Sequence, residues 1–280
     1  MPSLRLGLLL ILSAAAFRSA QPFGKSSLGL ATLSSGTWAS YGDLNGVVPV
    51  PYRNGMERYE FNKIAVLGLY GTVAGQPGFL SVPWLWTSKR LASGSTDRVA
   101  LGDAEFYLGR KAGMAELRAG MIIPAGYDTE DGDPWIGPGT IRVTLGAAVN
   151  PNITKYSKRW EASAEAMLAY ALDDGIAKSG SWALNPSGKL TFHPSGAWKL
   201  GLEGQGYWKS SYWGRSASFS QSILGRKGPR AEWKAGFVPD LFAERFVSQG
   251  LALGLKAGHS LWGYRDAASY NASAYLLWFP

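Results

Sequence analysis

Two histidines, His193 and His259, are the whole imidazole complement of this 280-residue chain. In His193-Pro194-Ser195 a base stands two residues from a hydroxyl, with Glu203 farther on to orient the ring. Base, nucleophile and orienting acid are the parts of acyl-transfer or hydrolytic chemistry, provided that all three lie within hydrogen-bond reach. The spacing works against it. Pro194-Ser195-Gly196 reads as a tight turn, and Glu203 sits well up the following strand. His259-Ser260 offers a base and a hydroxyl at a loop edge but no third group. No residue is assigned a catalytic role on this pattern, and the expectation is a protein that is not an enzyme. Metal chemistry is expected to be absent too, because the chain has no Cys and no paired His. Nor does any phosphate-cradling Gly loop follow a strand and open a helix, so no cofactor is expected. One acidic loop remains, from Tyr127 to Trp135, with Asp128, Glu130, Asp131 and Asp133. It departs from the spacing of a calcium loop and, with Trp135, is expected to be a solvated extracellular loop.

Most of the other charges alternate with apolar residues, and that places them. In RWEASAEAMLAY, Trp160, Ala162, Ala164, Ala166 and Leu168 oppose Arg159, Glu161, Ser163 and Glu165. A period of two is strand geometry, with one apolar and one wet face. The same rhythm sets Glu116 and Arg118 against Leu117 and Met121, Arg142 against Val143 and Leu145, and Lys199 and Glu203 against Trp198, Leu200 and Leu202. It also sets Lys256 against Leu253 and Leu255. With Glu105, Glu232 and Lys234, these charges form one polar phase that is expected to line a lumen. The chain ends on the same pattern: Tyr270, Ala272, Ala274, Leu276 and Trp278 alternate with Asn271 and Ser273, and Phe279-Pro280 overshoots the phase.

The N-terminus MPSLRLGLLLILSAAAFRSAQ has one Arg ahead of an apolar run and small residues after it. It reads as a secretory signal peptide over 1–20, leaving 21–280 as one domain. No later run approaches the ~18 apolar residues of a spanning helix. A chain that crosses a membrane without such helices must cross as strands closed on themselves, since every backbone amide in lipid has to be paired. The composition suits that: 36 Gly, 12 Trp, 13 Tyr and only 17% charged residues. The net charge of +8 is scattered, with no basic helix, so nucleic acid is not an expected partner.

Breaks at Gly, Pro, Asn and Asp give twelve strands, near 28–40, 59–70, 77–87, 99–110, 114–123, 138–150, 159–172, 181–194, 196–208, 228–238, 244–258 and 267–279. Short turns are expected around Gly71–Gln76, Lys111–Gly113, Pro151–Lys158, Ser195 and Pro239–Ala243. Longer connections are expected at Tyr41–Arg58, Ser88–Arg98, Pro124–Gly137, Asp173–Gly180, Lys209–Lys227 and Gly258–Asp266. Short turns at one end and long loops at the other are the habit of a closed, all-β, antiparallel up-and-down transmembrane barrel. Trp84, Trp86, Trp160, Trp198, Trp208 and Trp278 fall near strand ends, where girdles at the membrane surface lie.

From Leu101 to Ala147 the chain carries Gly102-Asp103, an apolar corner Ile123-Pro124-Ala125-Gly126, and Gly137-Pro138-Gly139. This segment resembles the MetA-pathway phenol-degradation family of bacterial outer-membrane barrels, similar in style to FadL-type channels, with Ala125 where that family has Thr. The resemblance implies the bacterial outer membrane, porin-like passive transport and small solutes, apolar or aromatic ones among them. The C-terminal strand likewise resembles the segment that the barrel-assembly machinery reads. Outer-membrane lipid and lipopolysaccharide are the other expected partners. The alternatives are an envelope lipid hydrolase built on a barrel, or a structural or adhesive barrel working through its loops.

Overall fold

Alternation carries the described residues through fourteen strands. The computed structural model describes residues 27–51, 58–91, 94–125, 140–151, 159–172, 182–210 and 233–280. In order the strands are β1 (Ser27–Gly46), β2 (Pro49–Pro51), β3 (Arg58–Val73), β4 (Gln76–Leu91), β5 (Gly94–Leu101), β6 (Asp103–Ala112) and β7 (Ala115–Pro124). There follow β8 (Arg142–Val149), β9 (Trp160–Ala171), β10 (Trp182–Ser195), β11 (Trp198–Ser210), β12 (Trp233–Ser248), β13 (Leu251–His259) and β14 (Trp262–Trp278). Each wall strand pairs antiparallel with its sequence neighbours, and β14 closes the sheet on β1 from Ala31↔Trp278 up to Leu44↔Asp266. β5 and β6 make one stave, and β2 is a short strap on β1, so the wall is a closed barrel of twelve strands.

The break between β5 and β6 has a local cause. Pro83 on β4 has no N–H for the ladder, and its carbonyl accepts from Gly102 N at 2.9 Å. The pairing slips there, from Trp84↔Leu101 to Ser81↔Glu105. Gly102 fits because a Cβ would lie 2.7 Å from Leu85 Cδ1. Gly102-Asp103 thus marks the bulge at which β5 ends and β6 begins within one long stave. It also meets the apolar corner: Asp103 pairs with Pro124, and Ala125 N donates to Gly102 O. Gly137-Pro138-Gly139 lies outside the described residues.

Among the described residues, one end of the barrel is closed by two-residue turns; the turn expected at Pro151–Lys158 lies, but for Pro151, outside them. Ala74-Gly75 has both residues at positive φ (52° and 78°), the type I′ hairpin geometry that matches strand twist. Gly113-Met114, Gly196-Ala197 and Gln249-Gly250 make the other tight turns at this end. The last corrects a sequence-based expectation. Pro239–Ala243 is not a turn; it is the middle of β12, and the chain reverses ten residues later. Pro239 is tolerated because β13 ends beside it, the Asp240↔Gly258 pair being the last of that ladder. At the opposite end, Ser88–Arg98 is no long loop either, since β4 and β5 pair out to Leu91↔Gly94. The Gly258–Asp266 connection is likewise mostly strand. β1 runs on to Gly46, six residues past its expected end.

The outward face is apolar on the staves from β8 to β13. Leu145, Leu168, Leu190, Leu202, Leu241, Leu253 and Leu255 all point away from the barrel and are exposed. On β9 Trp160 and Tyr170 stand ten residues apart on this face, and on β11 so do Trp198 and Trp208. Ten residues span ~33 Å along a strand. At the usual tilt of about 40° that is about 25 Å of height, the thickness of a barrel's hydrocarbon band. Arg245 places its guanidinium 5.6 Å from the Trp198 ring, a cation at the rim of that band. A closed sheet with such an exterior is a transmembrane barrel.

The overshoot at the C-terminus also has an account. Phe279 continues the inward phase, its N–H donates to Gly250 O at 2.9 Å, and its ring stacks on Phe246 at 6.1 Å. It pins the end of β14 to the β12–β13 turn.

Candidate functional site

Contacts that skip a strand identify the lumen, because only side chains on the concave face can reach over a neighbour. Arg118 on β7 crosses β8 to Glu165 on β9 at 2.6 Å and bonds Glu116 on its own strand at 2.8 Å. The β8 residue paired with Arg118 is Gly146, which has no side chain to fill the wall there and is covered by the Met167 thioether. Glu165 also accepts from Ser187 on β10 at 3.2 Å. Across the lumen, Lys256 on β13 passes over β12 to Glu203 on β11 at 3.4 Å and meets Asp240 at 3.3 Å. Asp240 is 1% exposed and accepts from Asn271 on β14 at 3.0 Å. Lys63 on β3 lies within electrostatic reach of Asp240 and Lys256. A third group, nearer the tight turns, joins Lys199 to Glu161 at 3.9 Å. Arg142 pairs with Asp103 below the loop end.

The polar phase named from sequence therefore comes together as several knots. Glu116, Arg118 and Glu165 form one; Glu203 and Lys256 belong to a second; Glu161 and Lys199 belong to a third. Arg142 and half-buried Glu105 lie on the same inward phase, beside Asp103. Arg159 sits exposed at the start of β9, where its carbonyl accepts from His193 N. Lys234 stands at the loop end, directly opposite Lys209. Glu232, and the loop of Asp128, Glu130, Asp131, Asp133 and Trp135, lie outside the described residues. Of the tryptophans, Trp86, Trp160, Trp198, Trp208 and Trp278 are exposed on the outer face, and Trp84 is half-buried between β3 and β5.

Sequence reasoning missed Asp240, at the heart of the second knot, and Lys63, whose charge is felt there. Asp240 was hidden by the turn expected at Pro239–Ala243. Lys63 was hidden by a bulge between Lys63 and Ala65 that shifts the alternation by one residue. An aromatic strip was missed as well. Tyr70, Phe79 and Tyr107 run across β3, β4 and β6 with ring centroids 4.4 Å and 5.1 Å apart, ending under the Arg118 guanidinium at 4.6 Å. Beneath the ion-pair knots a cavity of about 510 Å³ is lined by Glu161, Ser163, Lys189, Thr191, Lys199 and Glu244.

The histidines do not assemble a triad. His193 Nε2 lies 3.2 Å from Glu161 Oε1, near enough for an ion pair but off a hydrogen-bonding line. Glu203 stands opposite Lys189, away from His193, and turns to Lys256. His259 Nε2 is 2.7 Å from the Tyr41 hydroxyl. Ser260 is committed to Ser269, donating through Oγ to its carbonyl at 3.1 Å and accepting from its N–H at 2.8 Å.

No family model matches the chain, and no curated protein is similar to it in sequence. Among solved structures it is similar to the COG4313 outer membrane channel from Pseudomonas putida F1, at 11% identity over 93% of this chain and 98% of that one, with a TM-score of 0.64. Two looser likenesses fall below the level at which a shared fold can be argued. One is to the CymD monoaromatic hydrocarbon channel (7% identity, 95% and 93% covered, TM-score 0.43). The other is to a deletion mutant of the TodX monoaromatic hydrocarbon channel (11%, 94% and 93%, 0.41). The first likeness and the apolar exterior agree on one conclusion: the chain folds as a bacterial outer-membrane barrel, the twelve-stranded kind that surrounds a charged lumen.

Proposed function

We propose that the protein is a passive outer-membrane channel for small molecules, apolar or aromatic ones among them. The observation that carries the reading is the lumen wall. Charges of both signs are tied in pairs that bridge over intervening strands, beside an aromatic strip and above a cavity open to solutes of modest size. Such a wall offers fixed dipoles to a polar end and ring faces to an apolar one, and leaves selection to width and charge. The P. putida F1 protein of like fold is itself described as a channel, which supports the reading.

The test is conductance in planar bilayers together with uptake of small solutes by proteoliposomes. Arg118→Ala removes the guanidinium that spans β8, and single-channel conductance is expected to rise. Stability should change by about 1 kcal/mol or less, because the Glu165 end of the bridge is well exposed. A barrel that passes neither ions nor solutes, with or without Arg118, would sink the channel reading.

A further inference from the structure

The wall made by β10, β11 and β12 repeats one construction. On β12, the Phe242 ring lies flat across Gly201 of β11, where a Cβ would come within 2.4 Å of it, and the Lys189 ammonium of β10 sits 4.1 Å above the ring. Toward the loop end the Tyr207 ring lies across Gly236, where a Cβ would come within 2.3 Å of its hydroxyl, with Lys209 Nζ 5.0 Å from the ring centroid. Toward the tight turns, Lys199 Nζ stands 5.4 Å from the Phe246 ring. Three lysines thus stand on three rings, and in two cases glycine on the neighbouring strand provides the floor.

The register sets their heights. Lys209 pairs with Lys234 near the loop end, Lys189 stands opposite Glu203, and Lys199 opens β11. Six and then four residues of strand separate these levels, or ~20 Å and ~13 Å. The carboxylates facing this wall are largely spoken for. Glu203 and Asp240 hold Lys256, Glu161 holds Lys199, and Glu244 is buried. Among the described residues, Lys189, Lys209 and Lys234 have no carboxylate within ion-pair distance. Like charges placed directly opposite each other, as at Lys209 and Lys234, are unfavourable unless an anion comes between them.

We infer that this wall is a track for small organic anions that carry an aromatic or alkyl body, handed from Lys209 and Lys234 to Lys189 above Phe242 and on to Lys199 in the cavity below. The inference rests on the channel reading and names its substrate class. An ammonium on a ring binds the anionic head, and the ring and the glycine floor offer an apolar surface to the rest of the solute. A simple anion gets only the first interaction, and a neutral solute only the second.

Reversal potentials in planar bilayers test it, with potassium benzenesulfonate, potassium gluconate and tetraethylammonium chloride as probe salts. Benzenesulfonate keeps its charge at any working pH and does not cross lipid unaided. The expected order of permeability is benzenesulfonate above gluconate, and both above tetraethylammonium. Lys189→Gln should lower the benzenesulfonate-to-potassium ratio about threefold, the factor that one charge about 7 Å away contributes in a water-like medium. Lys189→Gln with Lys209→Gln and Lys234→Gln should lower it further. Gly201→Leu, which lifts the Phe242 ring, should cut benzenesulfonate more than gluconate. Cation preference, equal ratios for the two anions, or lysine variants with the wild-type ratio would overturn the inference while leaving a channel in place. Absence of any conductance or uptake would overturn both.

Discussion

Asp240→Ala is expected to destabilise the folded barrel by about 3–5 kcal/mol, the cost of removing one partner from a buried ion pair. The carboxylate is 1% exposed and serves three groups at once. It meets Lys256 at 3.3 Å, accepts from Asn271 at 3.0 Å and neutralises the field of Lys63. Taking it away leaves Lys256 with Glu203 as its ion-pair partner and removes the negative charge that offsets the repulsion between Lys256 and Lys63. The space cannot simply collapse, because Gly258 is there to admit the carboxylate: a Cβ at Gly258 would lie almost on the Asp240 oxygen. Urea titration of refolding into detergent micelles, followed by the mobility difference between folded and unfolded barrel on gels, measures the loss. Lys256→Met in the Asp240→Ala background should recover a large part of it, since coupled neighbours are non-additive. Asp240→Asn, which keeps the amide contact and loses the charge, should fall between. A loss under about 1 kcal/mol, or a double variant as weak as the sum of the singles, would show that the knot contributes little to stability.

The architecture was legible because alternation is a global signal. On β7, β8, β9 and β11 one phase is apolar and the other charged without interruption, so a single misplaced residue could not change the assignment. The closing pair was legible for the same reason, since Tyr270 to Trp278 keeps its phase to the end. What failed to show were the slips. At Gly102, at Ile64 and around Tyr41 one extra residue enters a strand and the inward phase changes parity. Lys63 was lost on the far side of such a slip. Pro239 misled differently, because a proline inside a long strand reads as a break unless the shortness of the neighbouring strand is known. The partners within the lumen were not legible at all. That Arg118 reaches Glu165 and not Asp103, which is nearer along the sequence, depends on the stagger of the barrel, and that is not a property of the local sequence.

The largest effect on the outer face is expected next door to Asp240. Leu241→Arg should cost about 2–4 kcal/mol if the residue sits at the bilayer midplane. Leu241 pairs with Leu202, which lies near the middle of the span from Trp198 to Trp208, and with Ala257 on the other side. It is 69% exposed, so an arginine there has ample room and breaks no packing. In water such a substitution would be nearly neutral, within about 0.5 kcal/mol. Any large penalty must therefore come from taking the guanidinium out of water into hydrocarbon. Depth supplies the control. Leu200→Arg, two residues from Trp198, can reach the headgroups with its long side chain and should cost only about 0–1 kcal/mol. Refolding into phospholipid vesicles at graded urea measures both variants. Equal costs at the two positions, or none at Leu241, would place this face in water and leave no reason for the Trp-to-Trp spacing on β11. Positions 240 and 241 are then opposite tests of one boundary: the wall loses stability if the charge at 240 is removed, and loses it again if a charge is added one residue on.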